Sequence, residues 1–200
     1  MTKIVYGIGF NENRFPYIVN RRQIKEYGAW QNMLLRCTEN YWIKHPTYFG
    51  CAVSENFKSF AFFYEWYRKQ TGFENEEGDK RNWHLDKDLL IRGNKLYSED
   101  TCVFIPQKIN KLLIKKQAAR GEFPIGVSFR KEDNTFMARC GIGNGGKVKY
   151  LGVYNTPQEA FQAYKTFKEA LIKQVADEYK DRLDPRAYAA LINYKVSFED

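Results

Sequence analysis

The tetrapeptide Thr156-Pro157-Gln158-Glu159 constrains this 200-residue chain more than any other feature. A threonine hydroxyl can accept the free N–H groups of a first helical turn. Proline suits the first helical position, and a glutamate three residues after the threonine closes a reciprocal cap. Beyond this start Ala160, Phe161, Tyr164, Phe167, Leu171 and Val175 recur at helical spacing, predicting an amphipathic helix to about Tyr179. Such a helix has to bury its apolar stripe against another layer. The preceding residues offer one, because Ile125 to Phe129, Thr135 to Gly141 and Lys147 to Tyr154 read as three short strands. Asp133-Asn134 makes the first turn between them and Gly143-Asn144-Gly145-Gly146 the second. The second turn is not a phosphate-cradling loop, since no lysine-serine or lysine-threonine pair opens a helix after it. Asp184-Pro185 then breaks the chain ahead of a short helix or extended tail with Tyr188, Leu191 and Ile192.

The first half reads differently. Tyr27, Trp30, Met33, Leu34 and Cys37 place an amphipathic helix over Gln23 to Cys37. Thr38 to Val53, with Pro46 and Gly50, reads as an ordered connection. Ser54 is a cap for a second helix to about Gln70, whose apolar side carries Phe57, Phe60, Ala61, Tyr64 and Trp66 or Tyr67. At helical spacing these aromatics suit a core better than a base-stacking platform. After a loop rich in glycine and acid, Trp83 to Ile91 and Thr101 to Ile105 read as strands separated by the turn-forming Arg92 to Ser98. Pro106 opens a helix with Ile109, Leu112 and Leu113 on one side. The basic segment Lys115 to Glu122 loses apolar periodicity and marks a boundary between residues 1–118 and 119–200. The expected fold class is α+β: an N-terminal helical region with a ββα unit at about 83–118, then a three-stranded antiparallel sheet packed on a long helix.

Composition narrows the partners. A net charge of +8 favours a polyanion, because clustered Lys and Arg release condensed counterions on meeting phosphates. Arg21, Arg22, Lys25, Lys108, Lys111, Lys115, Lys116 and Arg120 form two basic clusters, which also suit solvated surface. No stretch approaches the roughly 18 apolar residues of a membrane span, and residues 1–20 lack the apolar centre of a secretory signal, so a soluble intracellular chain is expected. Cys37, Cys51, Cys102 and Cys140 are scattered, without a CxxC pair, and read mostly as buried free thiols. A site joining Cys37, His45 and Cys51 has no zinc-type spacing.

Four pieces of the C-terminal part carry a resemblance: Gly126-Val127-Ser128, Phe136-Met137-Ala138-Arg139, the run Tyr150 to Ala160, and Ala163-Tyr164. They resemble the APETALA/ethylene-response-factor type of DNA-binding domain, found in plant transcription factors and appended to many phage homing endonucleases. The resemblance implies a sheet in the major groove with the helix behind it. Arg130, Lys131, Arg139, Lys147 and Lys149 are then the candidates for the DNA face, with Arg139 in the middle strand as the base reader. Fewer arginines, and Phe136 where the family usually has tryptophan, depart from the plant pattern.

The first part is similar to phage HNH endonucleases that carry such a domain. The matching pieces are Tyr27-x-x-Trp30-x-x-Met33 with Arg36-Cys37, Pro46-Thr47-Tyr48, Leu85-Asp86-Lys87-Asp88, Gly93-Asn94-Lys95-x-Tyr97-Ser98, and Cys102 to Pro106 with Asn110. An HNH site needs a histidine base beside a divalent metal. Here the leading histidine is missing from its usual place, with Asp86 nearest to it and His84 two residues earlier. On a strand His84, Asp86 and Asp88 share one side, where Asn94 and Asn110 could join them. The resemblance then makes Asp86 and Asn110 ligands for magnesium or manganese and His84 the base. The other reading pairs Asp86 and Asp88 with Lys87, Arg92 or Lys95 in a structural loop.

Three functions follow as expectations. One is a phage-type protein that binds double-stranded DNA, with Arg21, Arg22, Lys115 and Lys116 adding phosphate contacts, and cuts it as a metal-dependent homing or nicking endonuclease. Another is a DNA-binding or regulatory protein derived from such a nuclease and catalytically inactive. The third is a phage protein that grips a host protein through its aromatic helices. All three place it in bacterial cytoplasm.

Overall fold

A computed structural model describes residues 2–72, 83–114, 122–143 and 146–199. The chain divides into two compact units, Met1–Phe104 and Ile105–Asp200. The division falls inside a strand, earlier than the basic segment Lys115 to Glu122, most of which lies outside the described residues.

The first unit is built on aromatic packing. Helix α1 (Lys25–Leu35) buries Tyr27, Trp30, Met33 and Leu34, and the Trp30 Nε1–H donates to the Phe57 carbonyl at 2.8 Å. These side chains join Phe57, Phe60, Phe63, Tyr97 and Cys102 in one core. Two small hairpins precede α1: β1 (Lys3–Val5) with β2 (Gly9–Asn11), and β3 (Ile18–Val19) with β4 (Arg22–Gln23). Gly9 sits so close to α1 that a Cβ there would lie 2.5 Å from Leu34 and 2.6 Å from Trp30, which requires glycine.

The connection after α1 is ordered, as its sequence suggests, and holds α2 (Glu39–Lys44), a short 3-10 turn at Pro46–Tyr48 and β5 (Ala52–Val53). The single helix expected from Ser54 to about Gln70 is instead two, α3 (Glu55–Lys58) and α4 (Phe60–Arg68). The break is at Ser59, whose backbone is extended and whose side chain caps α4 by accepting from the Phe62 N–H. Glu12 holds the same point, accepting from the Ser59 hydroxyl and from the Ala61 N–H. β6 (Trp83–Asp86) is shorter than the run to Ile91 suggested. It pairs with β8 (Val103–Pro106), the strand in which the chain divides. Within the expected loop, β7 (Leu96–Tyr97) pairs in parallel with β5.

The second unit opens with α5 (Gln107–Leu113), which buries Ile109 and Leu112. Strands β9 (Val127–Arg130), β10 (Thr135–Gly141) and β11 (Val148–Tyr154) form an antiparallel sheet in the order β11-β10-β9. The sheet packs on α6 (Pro157–Glu178), whose Thr156 and Glu159 complete the reciprocal cap. The fold is thus mixed α+β, with the three-stranded sheet on a long helix as expected. Asp184 caps α7 (Pro185–Ile192), so the last segment is helical.

Burial on α6 departs from the expected stripe in one respect. Ala160, Phe161, Tyr164 and Val175 are buried, but Phe167 and Leu171 are only half-buried, and Lys168, Ile172 and Ala176 occupy the core side. The buried row is Ala160, Tyr164, Lys168, Ile172 and Ala176, spaced four residues apart along one helix face.

Candidate functional site

Register settles which side chains of the sheet face outward, because directly opposed residues of an antiparallel pair project to the same side. Ala138 and Cys140 are buried toward α6. Their neighbours Met137 and Arg139 therefore face away from it, as do Ser128 opposite Met137, Arg130 opposite Thr135, and Tyr150 opposite Arg139. A bulge between Ala138 and Arg139 accommodates Leu151, which turns into the core. The outward face thus presents Arg139 on its middle strand, one residue past the end of β9, with Ser128 on one side at 3.4 Å from the guanidinium and the exposed Tyr150 on the other.

The expected DNA-face residues separate in the structure. Arg130 and Arg139 share the outward face, with Arg130 paired to Asp133 at 3.3 Å. Lys131 is exposed in the turn that follows. Lys149 stands opposite the buried Cys140, so its register is that of the helix side, although its place on an edge strand leaves it exposed. Lys147 lies before β11 and lines a cleft. Arg21 and Arg22 are exposed in the first unit, at the Asn20-Arg21 turn, where both turn residues have positive φ. Lys115 and Lys116 lie outside the described residues.

The expected metal residues are spread over β6, the loop that follows it and α5. β6 ends at Asp86, so His84, Asp86 and Asp88 do not continue along one strand face. Asp86 Oδ1 accepts the Asp88 and Leu89 N–H groups at 3.0 and 2.7 Å, which fixes the carboxylate as a turn cap. Asp88 pairs with Lys87 at 3.4 Å. Asn94 donates to the Lys87 and Leu96 carbonyls at 2.6 and 2.7 Å and accepts from the Leu96 N–H, so its amide is spent on the same loop. Asn110, on α5, belongs to the second unit. Among the described residues no three or more His, Cys, Asp or Glu are placed to hold a metal ion, neither His84, Asp86 and Asp88 nor Cys37, His45 and Cys51. Burial, and then the neighbouring Asp88, push the Asp86 carboxyl up to about 6, with the two backbone N–H groups acting against them. The Asp86 and Asn94 side chains thus serve the turn of their own loop.

All four cysteines are free. Burial pushes the Cys37 and Cys102 thiols up to about 12, which keeps them unreactive at neutral pH. Among the described residues no helix is long and apolar enough to cross a membrane.

One residue that sequence reasoning missed is Lys168, which lines a cleft of about 820 Å³ in the second unit together with Arg139 and Lys147. Its signal was available in the four-residue row of α6, but a lysine is passed over when a core stripe is read from apolar residues alone. Comparison with known protein families, with curated proteins and with solved structures finds no match for this chain.

Proposed function

We propose that the protein binds double-stranded DNA with the outward face of the β9–β11 sheet and does so without metal-dependent cleavage. The observation that carries this reading is Arg139, exposed on the middle strand of a three-stranded sheet between Ser128 and Tyr150, while α6 backs the other side. A ribbon of this width suits the major groove, and an arginine there can meet guanine through two hydrogen bonds. Arg130, paired with Asp133, and the exposed Lys131 at the end of the sheet would meet phosphates, which position a protein without reading sequence. The net charge of +8 supports a polyanionic partner. The resemblance to the ethylene-response-factor type of domain rests on the same sheet.

Binding without catalysis is preferred to the nuclease reading because the Asp86 and Asn94 side chains are already engaged by their own loop. The test is a duplex-DNA titration at two salt concentrations, with and without magnesium, followed by inspection for strand breaks. Affinity is expected to fall steeply with salt, to ignore chelator and to leave the duplex intact. Arg139→Ala is expected to weaken binding by about 1–3 kcal/mol at a preferred site. Unchanged affinity in that variant refutes the sheet as the interface, and nicking with magnesium refutes the non-catalytic reading.

A further inference from the structure

The cleft in the second unit lies where the sheet narrows. β9 begins at Val127, whereas β10 continues to Gly141, so the last residues of β10 extend past the end of their neighbour. α5, the segment before β9, and Gly143, Gly146 and Lys147 between β10 and β11 line the space there. Gly126 shapes its wall: φ is +80°, and a Cβ would sit 2.1 Å from the Tyr164 ring, so the backbone lies against that ring only because the residue is glycine.

Lys168 opens into this cleft while only 9 % exposed. Among the described residues its ammonium makes no hydrogen bond or ion pair. Its electrostatic neighbour is Cys140, a buried thiol pushed up by desolvation and therefore neutral, which supplies no counter-charge. Burial pulls the Lys168 pKa down for the same reason. An ammonium with little access to water and no partner is unfavourable, so the site favours an anion beside it. Three more cations, Lys111, Arg139 and Lys147, line the cleft, and no carboxylate is among its described lining residues. The walls between the cations are apolar, with Leu112, Ile125 and Val127 beside the Tyr164 ring. A space of about 820 Å³ exceeds what an inorganic anion fills and matches small-molecule sites.

We propose that this cleft binds a small phosphorylated molecule with a flat apolar body, of the size of a nucleoside monophosphate, with Lys168 holding the phosphate. Lys111 and Lys147 at the rim draw the anion in, and the apolar wall at Tyr164 takes the body. The cleft shares Arg139 and Ser128 with the outward face of the sheet, but Lys168 and the Tyr164 wall belong to the cleft, and the proposal stands whether or not the protein binds DNA.

Titration calorimetry of the full chain with adenosine monophosphate, adenosine and inorganic phosphate tests it. The monophosphate is expected to bind saturably and adenosine at least about tenfold more weakly, since charge-assisted hydrogen bonds to the phosphate are lost. Inorganic phosphate is expected to compete. Lys168→Met, which keeps the packing of the stem, is expected to weaken the monophosphate by about tenfold or more while circular dichroism stays unchanged. Should that variant fail to fold, Lys111→Ala and Lys147→Ala at the rim are each expected to weaken it by about threefold. Equal binding of adenosine and its monophosphate, or loss of affinity in none of these variants, overturns the proposal.

Discussion

Asp86 in the first unit and Lys168 in the second are both withdrawn from water, the former in part and the latter almost wholly, yet the chain treats them differently. Asp86 sits at a strand end where two N–H groups turn toward it, so the fold itself supplies its partners. Lys168 sits mid-helix, where backbone groups are already paired, and faces a cleft whose other charges share its sign. Chemical type alone would have ranked them the other way, since an aspartate beside a histidine and a second aspartate is the more familiar site. What separates the two charges is that Asp86 finds its partners in its own loop, whereas none is found for Lys168 among the described residues.

The sharpest way to break the comparison is to close the cleft. Gly126→Val introduces a side chain at positive φ against the Tyr164 ring and is expected to cost about 3 kcal/mol or more, measured by urea denaturation. A smaller cost would show that the wall is soft and the cleft not preformed.

Next in size is the carboxylate. Asp86→Ala leaves the Asp88 and Leu89 N–H groups without their acceptor and is expected to cost about 2 kcal/mol, whereas Asp86→Asn keeps an acceptor oxygen in place. The sign of the pH effect follows from the raised pKa. A carboxyl that titrates near 6 when folded and near 3.8 when unfolded stabilises the fold below about 4 and loses that contribution as pH rises through about 6. Asp86→Asn should therefore flatten the loss of stability across that window. A variant that destabilises as much as alanine at every pH would remove the cap from the account.

The smallest effect has the opposite sign. Lys168→Met removes the charge of a largely buried lysine that has no partner among the described residues and is expected to raise stability without ligand by about 1 kcal/mol, a few degrees in the melting temperature. Because the lysine pKa is lowered on folding, the wild type gains stability as pH climbs toward 10.5, so the difference should shrink there. A melting temperature lowered by the substitution would mean that the ammonium already has a stabilising partner in the fold.

The parts of the molecule that were legible in the sequence are those whose causes are local. The Thr156 cap spans four residues, and β9, β10 and β11 pair with their neighbours in sequence through tight turns. The first unit hid more. β5 and β7 are two residues each and pair in parallel across a long intervening segment, and β1 to β4 are too short for alternation to be seen. Ser59 looked like a mid-helix residue, and only Glu12, brought from a distant hairpin, makes it a helix start. The expectation for the candidate metal residues rested on an equally local rule. Side-chain alternation placed His84, Asp86 and Asp88 together only as long as the strand continued, and it stops at Asp86.

By itself the sequence determined the sheet-on-helix layer, the position of Arg139 in its middle strand and the excess of positive charge, because capping, alternation and ionisation act over a few residues. Only the tertiary structure decided that Lys149 sits on the helix side, that the Asp86 carboxylate is spent on a turn, and that Lys168 is buried beside a cleft. Those outcomes depend on register, on where a strand ends and on what packs over a helix face, and each is set by residues far away along the chain.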